Sequence, residues 1–162
     1  MKKFVSLYFF ILLLFNCVVS AQEMTKLLKA EISMVPKSFY GTWRVLSKRV
    51  DTDAPSVFKE NGLDLWNLSQ TYDVITLCNM FNGAKADITV KSADTKHIIF
   101  TKTGRYDKKV LSDRVELELG DNSFTGTDTL ELDTYVNGKI IKTETAVYRL
   151  KGEKIGGQVI TE

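Results

Sequence analysis

The sequence predicts an all-β fold, an eight-stranded antiparallel up-and-down barrel that follows a cleaved leader and a short helix. Three observations point there. Strand-length runs with apolar residues at every second position fill the chain from residue 41 to residue 150. Short turn signals separate most of these runs. The residues ahead of them follow other patterns, first a continuous apolar stretch and then a helical spacing.

At 162 residues the chain suits one domain with a real core and is short for two. Its 44% hydrophobic and 26% charged content is that of an ordinary globular protein and argues against disorder. Lys2 and Lys3 precede an almost wholly apolar run from residue 4 to residue 19, and Val19-Ser20-Ala21 supplies the small residues that a signal peptidase needs before Gln22. Residues 1–21 therefore read as a signal peptide, and the apolar run falls short of the roughly 20 residues that span a bilayer. The expected location is secreted or periplasmic, with no transmembrane segment after cleavage. Lipid attachment at Cys17 is less favoured, because Asn16 stands where a small residue belongs.

Cleavage removes two lysines and no acid, leaving 20 basic and 20 acidic residues. A neutral chain argues against nucleic acid, whose phosphates demand a basic surface. Cleavage also leaves Cys78 as the lone cysteine, so stability has to come from the core rather than from a disulfide. Within the run 74–78, Cys78 reads as a small buried hydrophobe.

Residues 22–39 form a lead-in. Met24, Leu27, Leu28 and Ile32 recur at roughly helical spacing, and Pro36 closes the segment, so a short helix is expected over 22–34. The barrel domain then occupies 40–162. Its first strand, 41–50, places Trp43, Val45 and Ser47 on one side and Arg44, Leu46 and Lys48 on the other. The connection over 51–62 is the longest in the domain and carries Val57 and Phe58, which a purely solvated loop does not need. Further strands are expected over 63–69, 72–80, 84–91, 96–103, 110–119, 124–136 and 139–150. Asn61-Gly62, Asn82-Gly83 and Asn137-Gly138 supply the residues that tolerate the positive φ of tight hairpins. Closing such a meander into a barrel removes the exposed edges; a two-sheet sandwich is the competing arrangement.

Nothing in the sequence assembles a catalytic or metal site. His97 is the only histidine and reads as a strand residue facing solvent or a polar interior. A nucleophilic pairing of Cys78 with His97 lacks any nucleophile turn around it. Glu116, Glu118, Asp128, Glu131 and Asp133 read as a solvated face, since Glu116 and Glu118 alternate with leucines. No cofactor, metal or enzymatic activity is expected, although chemistry in a barrel cavity would draw on His97 and Tyr106.

Gly41-Thr42-Trp43 at the start of the first strand, with Arg149 at the end of the last long one, resembles the signature of the lipocalins and their lipocalin-like (calycin) relatives. The middle motif of that family, a Thr-Asp-Tyr group, is missing; Asp133-Thr134-Tyr135 has the same residue types in another order. The resemblance implies that Gly41 permits a close turn, that Trp43 plugs the closed end of an eight-stranded barrel, and that Arg149 packs across the indole. It also implies a small hydrophobic, lipid-like ligand in the interior. Alternation nominates Val45, Ala86, Ile88, Val90, Ile99, Val115, Leu117, Leu130 and Leu132 as inward ligand contacts, with Phe58 and Trp66 at the mouth. The alternative is an interaction or structural module that meets an envelope partner protein through its outer face and loops. Eight strands can also leave an interior filled by its own side chains.

Overall fold

The structure, a computed structural model, describes residues 34–157 and the backbone of 159–161. The expected signal peptide and the helix expected over 22–34 lie outside these residues, apart from Met34, which sits in a turn. Lys37–Phe39 forms one turn of 3-10 helix, and eight long strands follow: β1 (Gly41–Thr52), β2 (Asn61–Thr71), β3 (Val74–Asn79), β4 (Ala84–Ala93), β5 (His97–Tyr106), β6 (Lys109–Leu119), β7 (Ser123–Val136) and β8 (Lys139–Gly156). Each pairs antiparallel with the next, and β1 pairs with β8, so the sheet closes on itself. The eight-stranded up-and-down barrel is thus the fold, and the sandwich is not. A short β9 (Val159–Thr161), which the sequence pattern did not suggest, runs parallel to the end of β2.

Most turn assignments hold, and one does not. Asn137 and Gly138 both have positive φ, 50° and 74°, as a two-residue hairpin requires. Asn61-Gly62 instead opens β2, paired with Lys48 and Ser47 of β1. The turn between β2 and β3 is made by Tyr72, at φ 52°, and Asp73.

The barrel has two unlike halves. At the closed end the interior is packed solid by Phe39, Trp43, Leu68, Ile75, Ile98, Phe100, Val115 and Phe124, all at most 2% exposed. The 3-10 turn closes this end because its Phe39 enters the core and packs 5.9 Å from the Phe100 ring. Trp43 Nε1 donates to Phe39 O at 2.8 Å, which fixes the turn to β1. Gly41 lies at φ 119°, and a Cβ there would approach Gly157 O to 2.5 Å; only glycine lets β1 start this close to the end of β8. The connections 53–60, 80–83, 107–108 and 137–138 all lie at the opposite, open end.

Candidate functional site

The open half of the interior is polar where the closed half is apolar. Period two carries Asp64, Lys102, Asp113 and Asp128 to the inside of β2, β5, β6 and β7, on the same faces as Trp66, Phe100, Val115 and Leu130. Asp113 is 4% exposed and Asp128 is 8%. Lys102 forms an ion pair with Asp113 and also feels the charges of Asp128 and Asp64. Asn79 Nδ2 donates to Asp64 Oδ1 at 2.7 Å. Asp128 Oδ1 is buried and accepts no hydrogen bond.

Burial governs the protonation of Asp128 and Lys102. Desolvation pushes the Asp128 carboxyl up to about 6; Lys102 pulls it down and Asp64 adds to the rise. The same desolvation lowers the Lys102 ammonium, against the attraction of Asp128 and Asp64. Among the described residues no group of histidine, cysteine, aspartate and glutamate is arranged to hold a metal ion.

Two cavities meet at this polar layer. One, of about 250 Å³, lies towards β3–β6 and is lined by Leu77, Asn79, Ala86, Lys102, Leu111 and Asp113 among others. The second, of about 410 Å³, lies towards β1 and β8 beneath the 53–60 connection and includes Val45, Phe58, Lys59, Tyr148 and Leu150. Asp64, Trp66, Asp128 and Leu130 line both, so they form the wall between them. Trp66 stacks on Phe124 at 6.0 Å, and Phe124 packs 5.1 Å from Trp43. A continuous run of rings therefore links Trp43, in the packed closed end, to Trp66 on the cavity wall.

The 53–60 connection is a cover held by named bonds. Phe58 is buried beneath it. Tyr148 Oη donates to Lys59 O at 2.6 Å, and the Arg49 guanidinium donates to Phe58 O and Pro55 O. Asp53 Oδ1 accepts from Thr145 N at 2.7 Å, tying the start of the cover to β8.

The inward candidates divide by depth. Val45, Phe58, Trp66, Ala86 and Leu130 line the cavities. Ile88, Val90, Val115 and Leu117 point inward but belong to the packed core, as does Leu132. Ile99 is a correction: Val90 pairs with Phe100, so Ile98 and Phe100 take the interior at 0% exposure and Ile99 faces out. Within the run Ile98-Ile99-Phe100 local alternation assigns no face, and only the pairing across β4 decides.

Arg149 is the second correction. It pairs with Lys48 and Thr127 on the outer surface and is exposed. β8 continues to Gly156, and the residue opposite Trp43 is Lys154. Its ammonium lies 5.2 Å from the indole centroid and donates to Ser38 O at 2.6 Å.

Asp128 is the third correction, because it does not belong to the solvated face. Glu116 and Glu118 do face solvent. The signal that finds Asp128 is its parity with Leu130 and Leu132; Asp113 and Asp64 have the same relation to Val115 and Trp66. Cys78 is half-buried on the outer face, not inside. His97 is exposed, with Asp94 Oδ1 accepting from its backbone N–H at 2.8 Å.

No family model, curated protein or solved structure matches the chain.

Proposed function

We propose that the chain is a secreted or periplasmic, lipocalin-like binding protein whose barrel holds a small ligand with substantial apolar surface. The observation that carries this reading is the division of the interior. The core fills the closed half, and the open half keeps cavities of about 250 and 410 Å³ that share a wall under a tethered cover. The 410 Å³ cavity falls within the roughly 300–1,000 Å³ of small-molecule sites, and the 250 Å³ cavity adjoins it across a wall with a few convergent polar groups. Val45, Phe58, Trp66, Leu130 and Leu150 supply the apolar surface, and Asp64, Lys102, Asp113 and Asp128 supply orientation. The ligand is accordingly amphiphilic rather than uniformly apolar. Secretion rests on Lys2, Lys3, the apolar run behind them and Val19-Ser20-Ala21, and the mature chain would begin at Gln22.

The alternative is an extracellular or envelope interaction module. It draws support from Met80, Phe81, Ile140 and Ile141, which are exposed at the open-end turns. It expects exposed aromatics in the cover and a filled interior, whereas Phe58 is buried and the open half holds cavities. The ligand reading has the greater support.

Native mass spectrometry of the purified mature protein, repeated after organic extraction, tests the proposal. A co-purified small molecule lost on extraction is the expected result. An empty protein whose tryptophan fluorescence ignores fatty acids, sterols and their amphiphilic analogues would overturn it.

A further inference from the structure

The polar layer of the barrel carries more negative than positive charge. In this layer three inward carboxylates, Asp64, Asp113 and Asp128, face one inward ammonium, Lys102, which pairs with Asp113 and is shared electrostatically with Asp128 and Asp64. Asp64 has the amide of Asn79. Asp128 has no hydrogen-bond donor on its Oδ1, although the residue is more than nine-tenths buried and lies on the wall common to both cavities. The other cations that border the cavities, Lys59 and Lys85, are exposed at their rims. A buried carboxylate oxygen without a donor is costly, and the chain supplies none from its own side chains.

We propose that Asp128, with Asp64 beside it, is the subsite for a cationic group of the ligand, a primary alkylammonium whose apolar chain runs along Trp66 and Leu130. This rests on the ligand-binding reading above and deepens it. The class follows from the chemistry of the wall. An ammonium donates to carboxylates and offsets the surplus negative charge. A carboxylate ligand would meet three like charges for one partner, and an uncharged lipid would leave Asp128 as it is. The adjoining surface suits an alkyl chain, because Trp66 and Leu130 border both cavities and Val45, Phe58 and Leu150 continue the apolar wall under the cover.

Protonation of Asp128 is the competing way to satisfy the carboxyl, and it predicts a pH dependence. The groups facing Asp128 are Asp64 on β2, Lys102 on β5, Asp113 on β6 and Tyr148 on β8. Asp128 releases its proton near pH 6, so the subsite is an acceptor above that pH and weakens below it. The alkylammonium keeps its charge throughout.

Calorimetric titration of the whole mature protein with octylamine, 1-octanol and octanoate at pH 7.5 and pH 5 tests the assignment. Octylamine is expected to bind about tenfold or more tightly than octanol at pH 7.5, with octanoate weakest. The preference should shrink at pH 5. Asp128→Asn should bring octylamine and octanol to equal affinity while the apolar contribution persists; Asp64→Asn should lower the preference part of the way. Equal binding of octylamine and octanol by the unmodified protein overturns the cation subsite, without needing any variant to fold. A preference that survives in a folded Asp128→Asn protein overturns the assignment to Asp128. Failure of all three probes to bind also overturns it, and the native mass spectrum then decides separately whether the barrel carries a ligand at all.

Discussion

Lys154 lies over the face of Trp43, its ammonium 5.2 Å from the ring centroid, and the same ammonium donates to Ser38 O at 2.6 Å. One side chain from the last long strand thus covers the indole and holds the 3-10 turn that closes the barrel. A double-mutant cycle on Trp43→Phe and Lys154→Met, followed by urea unfolding, should give a coupling of about 0.5–1.5 kcal/mol. The cycle on Trp43→Phe and Arg149→Ala should give none, because Arg149 is on the outer surface.

Gly41 and Gly138 both have positive φ but differ in their surroundings. A Cβ at Gly41 meets Gly157 O and Gly156 O, whereas nothing lies within 4 Å of one at Gly138. Gly138→Ala should cost about 1 kcal/mol, the backbone strain alone. Gly41→Ala should cost about 2–4 kcal/mol, since the end of β8 must also move. Unfolding midpoints of the two variants give the comparison directly.

Tyr40 is 1% exposed, and its hydroxyl has no hydrogen-bond partner. Burial pushes its phenol up to about 12. Removing an unsatisfied buried hydroxyl relieves its desolvation, so Tyr40→Phe should stabilise the protein by up to about 1 kcal/mol. A loss of stability in urea unfolding would contradict the burial of an unpaired hydroxyl there.

Asp128 makes stability depend on pH in an unusual direction for a carboxylate. Its native pKa, about 6, is raised above the ordinary 3.8 by burial, so the native state holds this proton where the unfolded state has released it. The contribution is fully present below about pH 4 and is lost as pH rises through about 6. Asp128→Asn should therefore gain on the order of 1–3 kcal/mol over the parent at pH 7.5 and little at pH 4. Paired denaturation curves at the two pH values measure the difference.

Tyr148 secures the cover through its bond to Lys59 O. Tyr148→Phe should cost about 1 kcal/mol in global stability. It should also speed amide hydrogen exchange in residues 53–60 more than in the core strands, because the cover loses one of its few tethers.

Much of the fold was legible because its signals are local. Alternation on β6 and β7 assigns Val115, Leu117, Leu130 and Leu132 to the interior, and Asn137-Gly138 marks its hairpin. The plug role of Trp43 came from the resemblance that Gly41-Thr42-Trp43 carries, not from alternation, and its indole is buried at the closed end. Alternation failed at Ile98-Ile99-Phe100, where three apolar residues in a row carry no parity. At Asp128 the charge points to solvent, whereas the parity it shares with Leu130 and Leu132 points inward, and the inward face is the one it takes.

The sequence by itself therefore determined a β meander, its main turns and the inward face of most strands, since period two and turn chemistry act over a few residues. Tertiary structure alone decided which residues meet across the barrel. Closure of β1 on β8 sets Lys154, not Arg149, against Trp43, and the β4–β5 pairing turns Ile99 outward. The same closure gathers Asp64, Lys102, Asp113 and Asp128 from four strands into one polar layer. The face of each of these four follows from its own strand, but the height at which it meets the others depends on the stagger between strands far apart in the chain. That stagger placed a carboxylate oxygen without a hydrogen-bond donor on the wall of a cavity expected to be mostly apolar.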